Sequence, residues 1–478
     1  MSDIDREALA RSLGAVDSSA IHGLRRLSGG ASQETWSFDL LEDGRSTPLI
    51  LRRAVGGRRA PSLGSAAIAL AIEAELIRLA GVAGVPVPGV RRVLTDDEGL
   101  GEGFVMERIA GETIPRRILR EPGLAAVRPH LARQCGEIAA RIHSIDLASV
   151  RDLPRTNAAA QIEQFRAIYQ AFDHPRPVFE LAFRWLGDNL PDAEADTLVH
   201  GDFRNGNLII GERGVHAVLD WELAHTGDPM EDLGWICVNS WRFGELDNPV
   251  GGFGTRDEMF AGYEAVSGRR VDPLRVRYWE VFGTLKWGVI CMIMYGVFRS
   301  GLDRSVERAA IGRRASETEI DLLTLLSEPP LQPLARPVGS PGSATTARQP
   351  SAGELVEAAR VFLEKSAMPE LEGRTAFHAR VAVNALAIVG RELELGPAAA
   401  TAEHQRLAEL LGSTVELIPA RRELCRRLRD GEITLASPGV ANHLWRTTLD
   451  QIAIDQPGYE TYRRLIQDAE SPPPRGGL

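Results

Sequence analysis

Lysine is almost absent from this chain. Lys286 and Lys365 are the only two in 478 residues, although lysine and arginine together number 55. Composition bias accounts for the preference for arginine, but it has a chemical consequence: any site before residue 286 that needs a basic side chain must take arginine or histidine. Cysteine is also scarce. Cys135, Cys237, Cys291 and Cys425 lie far apart in apolar, helix-like surroundings with no metal-ligand spacing, so reduced core thiols are expected. A basic excess is missing too, and the net charge of −10 argues against nonspecific nucleic-acid binding. No signal peptide is read at the start and no uninterrupted apolar span suits a membrane. The expected location is the cytoplasm, with neither nucleic acid nor membrane as partner. The length predicts two or three domains.

The most informative stretch is Leu198 to Leu233. Two apolar runs, Leu208 to Ile210 and Val215 to Leu219, flank the turn Gly211-Glu212-Arg213-Gly214, which predicts a hairpin. His200, Asp202, Arg204 and Asn207 precede the first strand, and Asp220 and Glu222 follow the second. Antiparallel pairing brings Asn207 and Asp220 together. An amide and a carboxylate suit Mg²⁺, which takes oxygen ligands and commonly only one or two from protein beside phosphates. Asp202 is then left to orient an attacking hydroxyl and accept its proton. These are the parts needed for phosphoryl transfer.

His200-Gly201-Asp202 with Asn207, then Asp220-Trp221-Glu222, then Gly227-Asp228-Pro229 with Asp232-Leu233 stand in one order. That order resembles the H-G-D-x-x-x-x-N, D-W-E and G-D-P-x-x-D-L motifs of the aminoglycoside phosphotransferase/choline kinase-like family, which has the protein-kinase-like fold. The resemblance covers roughly residues 15 to 325. It implies an α+β, bilobal fold with a small antiparallel-sheet N-lobe over residues 19–110 and a helical C-lobe over 111–328. It also implies an Mg²⁺-dependent enzyme using ATP or GTP on a small-molecule hydroxyl. Asp202 and Arg204 become the catalytic pair, and Asn207 and Asp220 the metal ligands. His200 is read as bracing the loop. Asp228 is expected to cap a helix, with Glu231 completing a capping box. Asp232 is expected to accept hydrogen bonds from the catalytic-loop backbone.

On the same resemblance, Ser32 in Ser28-Gly29-Gly30-Ala31-Ser32 belongs to the loop that covers the nucleotide phosphates. The third strand should carry a lysine for those phosphates. Leu51-Arg52-Arg53 stands there instead, so Arg52 is assigned the role, its planar fork clasping phosphate. Glu73, in preference to Glu75, is its expected partner on the following helix. Met106 would back the adenine pocket, with the backbone of Glu107 and Ile109 reading the adenine edge. Trp241-Arg242-Phe243 is a candidate acceptor contact. Residues 1–18 are expected to form a helix outside the fold proper. Tyr278 to Phe298 reads as a strongly apolar helix with too many interruptions to span a membrane.

Residues 329–352 are rich in proline and serine and read as a linker. Beyond them Ser351 and Glu354 form a capping box, and residues 353–470 read as an all-helical domain. Helices are expected at 354–366, 370–395, 402–411, 416–430 and 437–469. It resembles an uncharacterised helical domain found beside such kinases, and pairing of two chains through it is one role that suits it. The Leu-Arg-Arg and Asp-Trp-Glu-Leu-Ala forms are similar to kinase domains associated with acyl-CoA dehydrogenases, which points to a hydroxyacyl-CoA-like acceptor. The sequence lacks an A-P-E triplet after Asp220, against a protein acceptor. Two alternatives stay open: an aminoglycoside-type antibiotic phosphotransferase, and a non-catalytic, nucleotide-binding pseudokinase.

Overall fold

The computed structural model describes residues 4–27, 33–54, 67–150, 152–192, 196–329 and 350–470. Ser32, most of the expected linker and the loop after Arg53 lie outside the described residues. The fold class is α+β, as expected. Packing divides the chain into two compact units, one of residues 1–158 and 191–280, the other of residues 159–190 and 281–478. The second unit thus joins helices expected in the C-lobe to those expected in a separate domain.

The first unit begins with a five-stranded antiparallel sheet: β1 (Ile21–Arg26), β2 (Gln33–Glu42), β3 (Arg45–Ala54), β4 (Val90–Val93) and β5 (Gly103–Glu107), in the order β1-β2-β3-β5-β4. Asp43 and Gly44 both adopt positive φ, 49° and 75°, in the two-residue turn between β2 and β3, the geometry that matches strand twist in a tight hairpin. Alternation sends Phe38, Leu40, Leu49 and Leu51 to one core. The N-terminal helix α1 (Arg6–Ser12) belongs to that core, contrary to the expectation that it lies outside. Ile4, Ala8, Leu9 and Ala10 are buried in the same cluster. Seven residues are too few to display their apolar face clearly in a sequence. Behind the sheet runs α2 (Leu70–Val82).

Four short strands follow: β6 (Thr197–Val199), β7 (Leu208–Gly211), β8 (Gly214–Val218) and β9 (His225–Gly227). The β7–β8 hairpin forms where the apolar runs predict it, with Gly211 opposite Gly214 and Leu208 opposite Val218. Glu112 and Ile210 exchange backbone hydrogen bonds at 2.8 and 3.0 Å, tying the segment after β5 to this hairpin. Helix Arg128–His143 packs on helix Arg256–Ser267 so closely that a Cβ on Gly136 would lie 1.9 Å from Met259 O.

The second unit is helical. Helix Gly373–Leu411 runs unbroken through Pro397, where a break was expected. Proline forfeits one backbone bond, and the flanking turns remain packed against helices Leu417–Asp430 and Val440–Asp455. The Ser351–Glu354 capping box opens helix Ala352–Phe362. Helix Pro273–Ser300, with a window of mean hydropathy 1.6, is long and apolar enough to cross a membrane by length and composition alone. However, 61% of its most apolar window is buried inside the protein, as in a core helix.

Candidate active site

The loop between β6 and β7 carries the first group of side chains. Gly201 turns at φ 79°, and a Cβ there would stand 2.4 Å from Leu223 O, so only glycine fits. The His200 and Gly201 N–H groups donate to the two oxygens of Asp232, at 2.8 and 3.0 Å, as expected from the motif. His143 Nε2 meets Asp232 Oδ2 at 3.1 Å, and its Nδ1 meets the Tyr263 hydroxyl at 3.1 Å. Burial raises Asp232, but the hydrogen bond and charge of His143 bring it below the usual carboxylate range. Asp232→Ala would leave two buried N–H groups and a histidine without an acceptor. A loss of about 3 kcal/mol in unfolding free energy is expected, checked by urea denaturation.

His200 is buried and packs against Trp221 with ring centroids 4.6 Å apart and the planes tilted by 51°. Its Nδ1 accepts the Asp202 N–H at 3.2 Å, which leaves the proton on Nε2. Burial depresses its pKa and holds the ring neutral. That is a bracing geometry.

Asp202 is engaged through both oxygens. Oδ1 accepts from Arg204 Nε at 2.8 Å and from Trp235 Nε1 at 2.7 Å, and Oδ2 accepts from Asn207 Nδ2 at 2.6 Å. Asn207 Nδ2 also donates to the Asp202 carbonyl at 3.0 Å. Both amide hydrogens therefore turn toward Asp202, and the amide oxygen is the end left to approach a cation. Arg204 lies over the Trp241 ring, 4.5 Å from its centroid. Trp235 was not singled out from the sequence. It stands three residues after Asp232 on helix Met230–Trp235, a spacing that puts both on one face.

Asp220 follows β8 in the left-handed region, at φ 69° and ψ 62°. Non-glycine residues held there cluster at functional sites. Leu219 N donates to Asn207 O at 2.8 Å, so the hairpin brings the backbones on either side of the two expected metal ligands together. Asp220 pairs with Arg52 from β3. Burial raises the Asp220 pKa, but the Arg52 charge and hydrogen bond bring it below its ordinary value. Arg52 also lies 3.3 Å from Glu73 on α2 and 3.9 Å from Glu222, and donates to Gln33 Oε1. The helix carboxylate facing Arg52 is Glu73; Glu75 is exposed and pairs with Arg78. Gln33 and Glu222 were not assigned here from the sequence. Glu222 carried a signal, two residues past Asp220 in the D-W-E motif.

Glu73 is fully buried, and neither of its oxygens completes a hydrogen bond. Burial, opposed by Arg52, pushes it from an ordinary 4.5 up to about 7. The folded state then keeps this proton to higher pH than the unfolded chain, so stability falls as pH rises between 4.5 and 7. Glu73→Gln is expected to flatten that part of a plot of melting temperature against pH. An unchanged slope would remove Glu73 from it.

Met106 is buried in β5, opposite Ile50 and Val90. The Glu107 N–H donates to Gly89 O at 2.9 Å, so its carbonyl is the backbone group left for an adenine edge. Ile109 follows two residues on, between β5 and the Glu112–Ile210 bridge. Two expectations are corrected. Arg242 is committed within the fold to Cys237 O and Glu280, both at 2.7 Å, and so does not reach out to an acceptor. Glu231 forms no capping box; its carboxylate meets His225 Nε2 at 3.1 Å. Asp228 does accept the Met230 N–H at 2.9 Å, and it also takes Arg275 and Trp279, each at 2.7 Å. A helix of six residues anchored by these tertiary bonds leaves no role for the box.

Among the described residues no group of three or more His, Cys, Asp or Glu side chains is arranged to hold an ion. An amide oxygen and a carboxylate remain, a donor set that fits a hard cation completed by phosphate and water.

A model of the phosphotransferase enzyme family (APH) matches residues 23–269. A second model, described as a domain of unknown function (DUF6285), matches residues 369–459. Mouse acyl-CoA dehydrogenase family member 10 is 29% identical over 296 residues, which are 57% of this chain and 26% of that protein. Human acyl-CoA dehydrogenase family member 11 is 34% identical over 160 residues, 31% of this chain and 20% of that protein. The chain therefore spans well under half the length of these relatives. A solved structure from Ralstonia eutropha, provisionally assigned as an aminoglycoside phosphotransferase, aligns with a TM-score of 0.51 at 22% identity. The alignment covers 68% of this chain and 98% of that one, a likeness of fold.

Proposed function

The chain belongs to the phosphotransferase enzyme family, and on that footing we propose that it moves the γ-phosphate of ATP or GTP to a hydroxyl of a small molecule. Asp202 orients that hydroxyl and takes its proton. Arg204, fixed between Asp202 and Trp241, neutralises charge on the moving phosphoryl group. Arg52 clasps the α- and β-phosphates, with Glu73 setting its direction. The adenine edge meets the Glu107 carbonyl and the Ile109 N–H, with Met106 behind them. Asn207 and Asp220 would hold Mg²⁺, which would supply positive charge against the phosphates.

The observation that carries this reading is the orientation of Asn207. Its amide donates to both the backbone carbonyl and the carboxylate of Asp202, at 3.0 and 2.6 Å. One side chain thereby positions the base and turns an oxygen ligand outward.

A hydroxyacyl-CoA-like metabolite is the acceptor we favour, supported by the likeness to acyl-CoA dehydrogenase family members. The test incubates the full chain with Mg-ATP and either pooled hydroxyacyl-CoAs, kanamycin or no acceptor, with product identified by mass spectrometry. A phosphorylated acyl-CoA is expected. Phosphorylated kanamycin alone would reassign the acceptor, and bound nucleotide with no product would leave a pseudokinase.

A further inference from the structure

The helical unit contains a cavity of 340 Å³, within the range of about 300–1,000 Å³ that holds small metabolites. It is lined by helices Pro177–Asp188, Ala315–Leu326, Gly373–Leu411, Leu417–Asp430 and Val440–Asp455. None of the residues proposed for phosphate transfer lines it. Three arginines and five carboxylates do.

Most of these charges are matched. Arg176 meets Glu319 at 2.8 Å, and Arg421 forks onto Glu403. Asp450 lies 3.4 Å from Arg406. Arg313 is shared, pairing with Glu392 while standing 3.4 Å from Asp455 Oδ1. Burial lifts Glu319, Asp450 and Asp455 above the ordinary carboxylate range in spite of these arginines. The excess of acid is one of number, five lining carboxylates against three lining arginines.

Three buried polar atoms among the lining residues lack hydrogen-bond partners: Arg176 Nε, His443 Nδ1 and Asp455 Oδ1, the last with only the 3.4 Å approach of Arg313. Asp455 is 5% exposed and His443 2%. Burial, with Arg406 and Arg421 nearby, depresses His443 to about 4, so it contributes no compensating cation near neutrality. Buried polar atoms without partners are rare in folded proteins and mark places where a further group belongs. Asp455 Oδ1 can only accept, so a group that meets it must donate, and positive charge on that group offsets the excess of lining carboxylates. Among the described residues no three acids or histidines are placed to chelate a metal, so a multi-donor organic cation fits better than an ion.

We propose that this cavity binds a small organic cation, an aliphatic amine or guanidine, which donates to Asp455 Oδ1 and His443 Nδ1. Such a ligand supplies the charge the ring of carboxylates lacks, and would couple the helical unit to the availability of a cationic metabolite.

The test is calorimetric titration of the full chain with agmatine and with putrescine, against glutamate and MgCl₂ as controls. Saturable binding of at least one amine at one site per chain is expected, with no binding of glutamate. Asp455→Asn should weaken it by about tenfold or more. Ala400→Phe, which fills the cavity without touching its charge, should abolish it, while Asp220→Asn in the phosphate-transfer site should leave it unchanged. Absence of saturable binding by both amines overturns the proposal. So does binding that survives Ala400→Phe, which also decides the matter should Asp455→Asn fail to fold.

Discussion

Asp202→Asn lowers kcat by about 10³-fold and leaves nucleotide affinity close to that of the wild type. The reason lies in the division of labour around one carboxylate. Asp202 is held by Arg204, Trp235 and Asn207 at 2.6 to 2.8 Å. The nucleotide-binding roles fall to Arg52, Asn207 and Asp220. An amide in place of the carboxylate keeps the shape but accepts no proton from an attacking hydroxyl. Steady-state kinetics together with fluorescent-nucleotide binding separate the two effects. Loss of binding in parallel with turnover would reassign Asp202 to the metal.

Arg52→Ala raises the Michaelis constant for nucleotide by about a hundredfold and costs about 3 kcal/mol of stability. Arg52 is the cation shared by Glu73, Asp220 and Glu222, so its removal leaves three acids facing one another. Arg52→Lys restores the charge without the fork and should recover only part of each loss. The pairing with Asp220 has a further consequence. Metal binding competes with Arg52 for that carboxylate, so Mn²⁺ without nucleotide should bind more tightly to Arg52→Ala than to the wild type. An unchanged Michaelis constant would remove Arg52 from the site.

The meeting of Arg52 with Glu73 was legible because lysine is missing from the first 285 residues and an arginine stands on the third strand. The hairpin, its turn and the order of the motifs were legible because they are local: period-two alternation and glycines report directly on backbone conformation. Partners distant in sequence were harder to read. Arg52 and Asp220 lie 168 residues apart and Asp202 and Trp235 lie 33 apart, and no periodicity encodes such a meeting. Where a long-range partner could be inferred, a motif supplied it, as for Asp232 beneath the His200–Gly201 backbone. Where motif and local rule competed, tertiary bonding won: Glu231 looked like a capping residue and took His225 instead. The grouping of residues 159–190 with the C-terminal helices is a packing outcome that composition and linker signals do not report.

The central claim is that one divalent ion is held between Asn207 and Asp220 when nucleotide is present. Electron paramagnetic resonance of Mn²⁺ with ATP, on the full chain and on Asn207→Ala and Asp220→Ala, tests it most directly. The account predicts one ATP-dependent Mn²⁺ per chain in the wild type, weakened about tenfold or more in each variant. Variants that hold Mn²⁺-ATP as tightly as the wild type would contradict it.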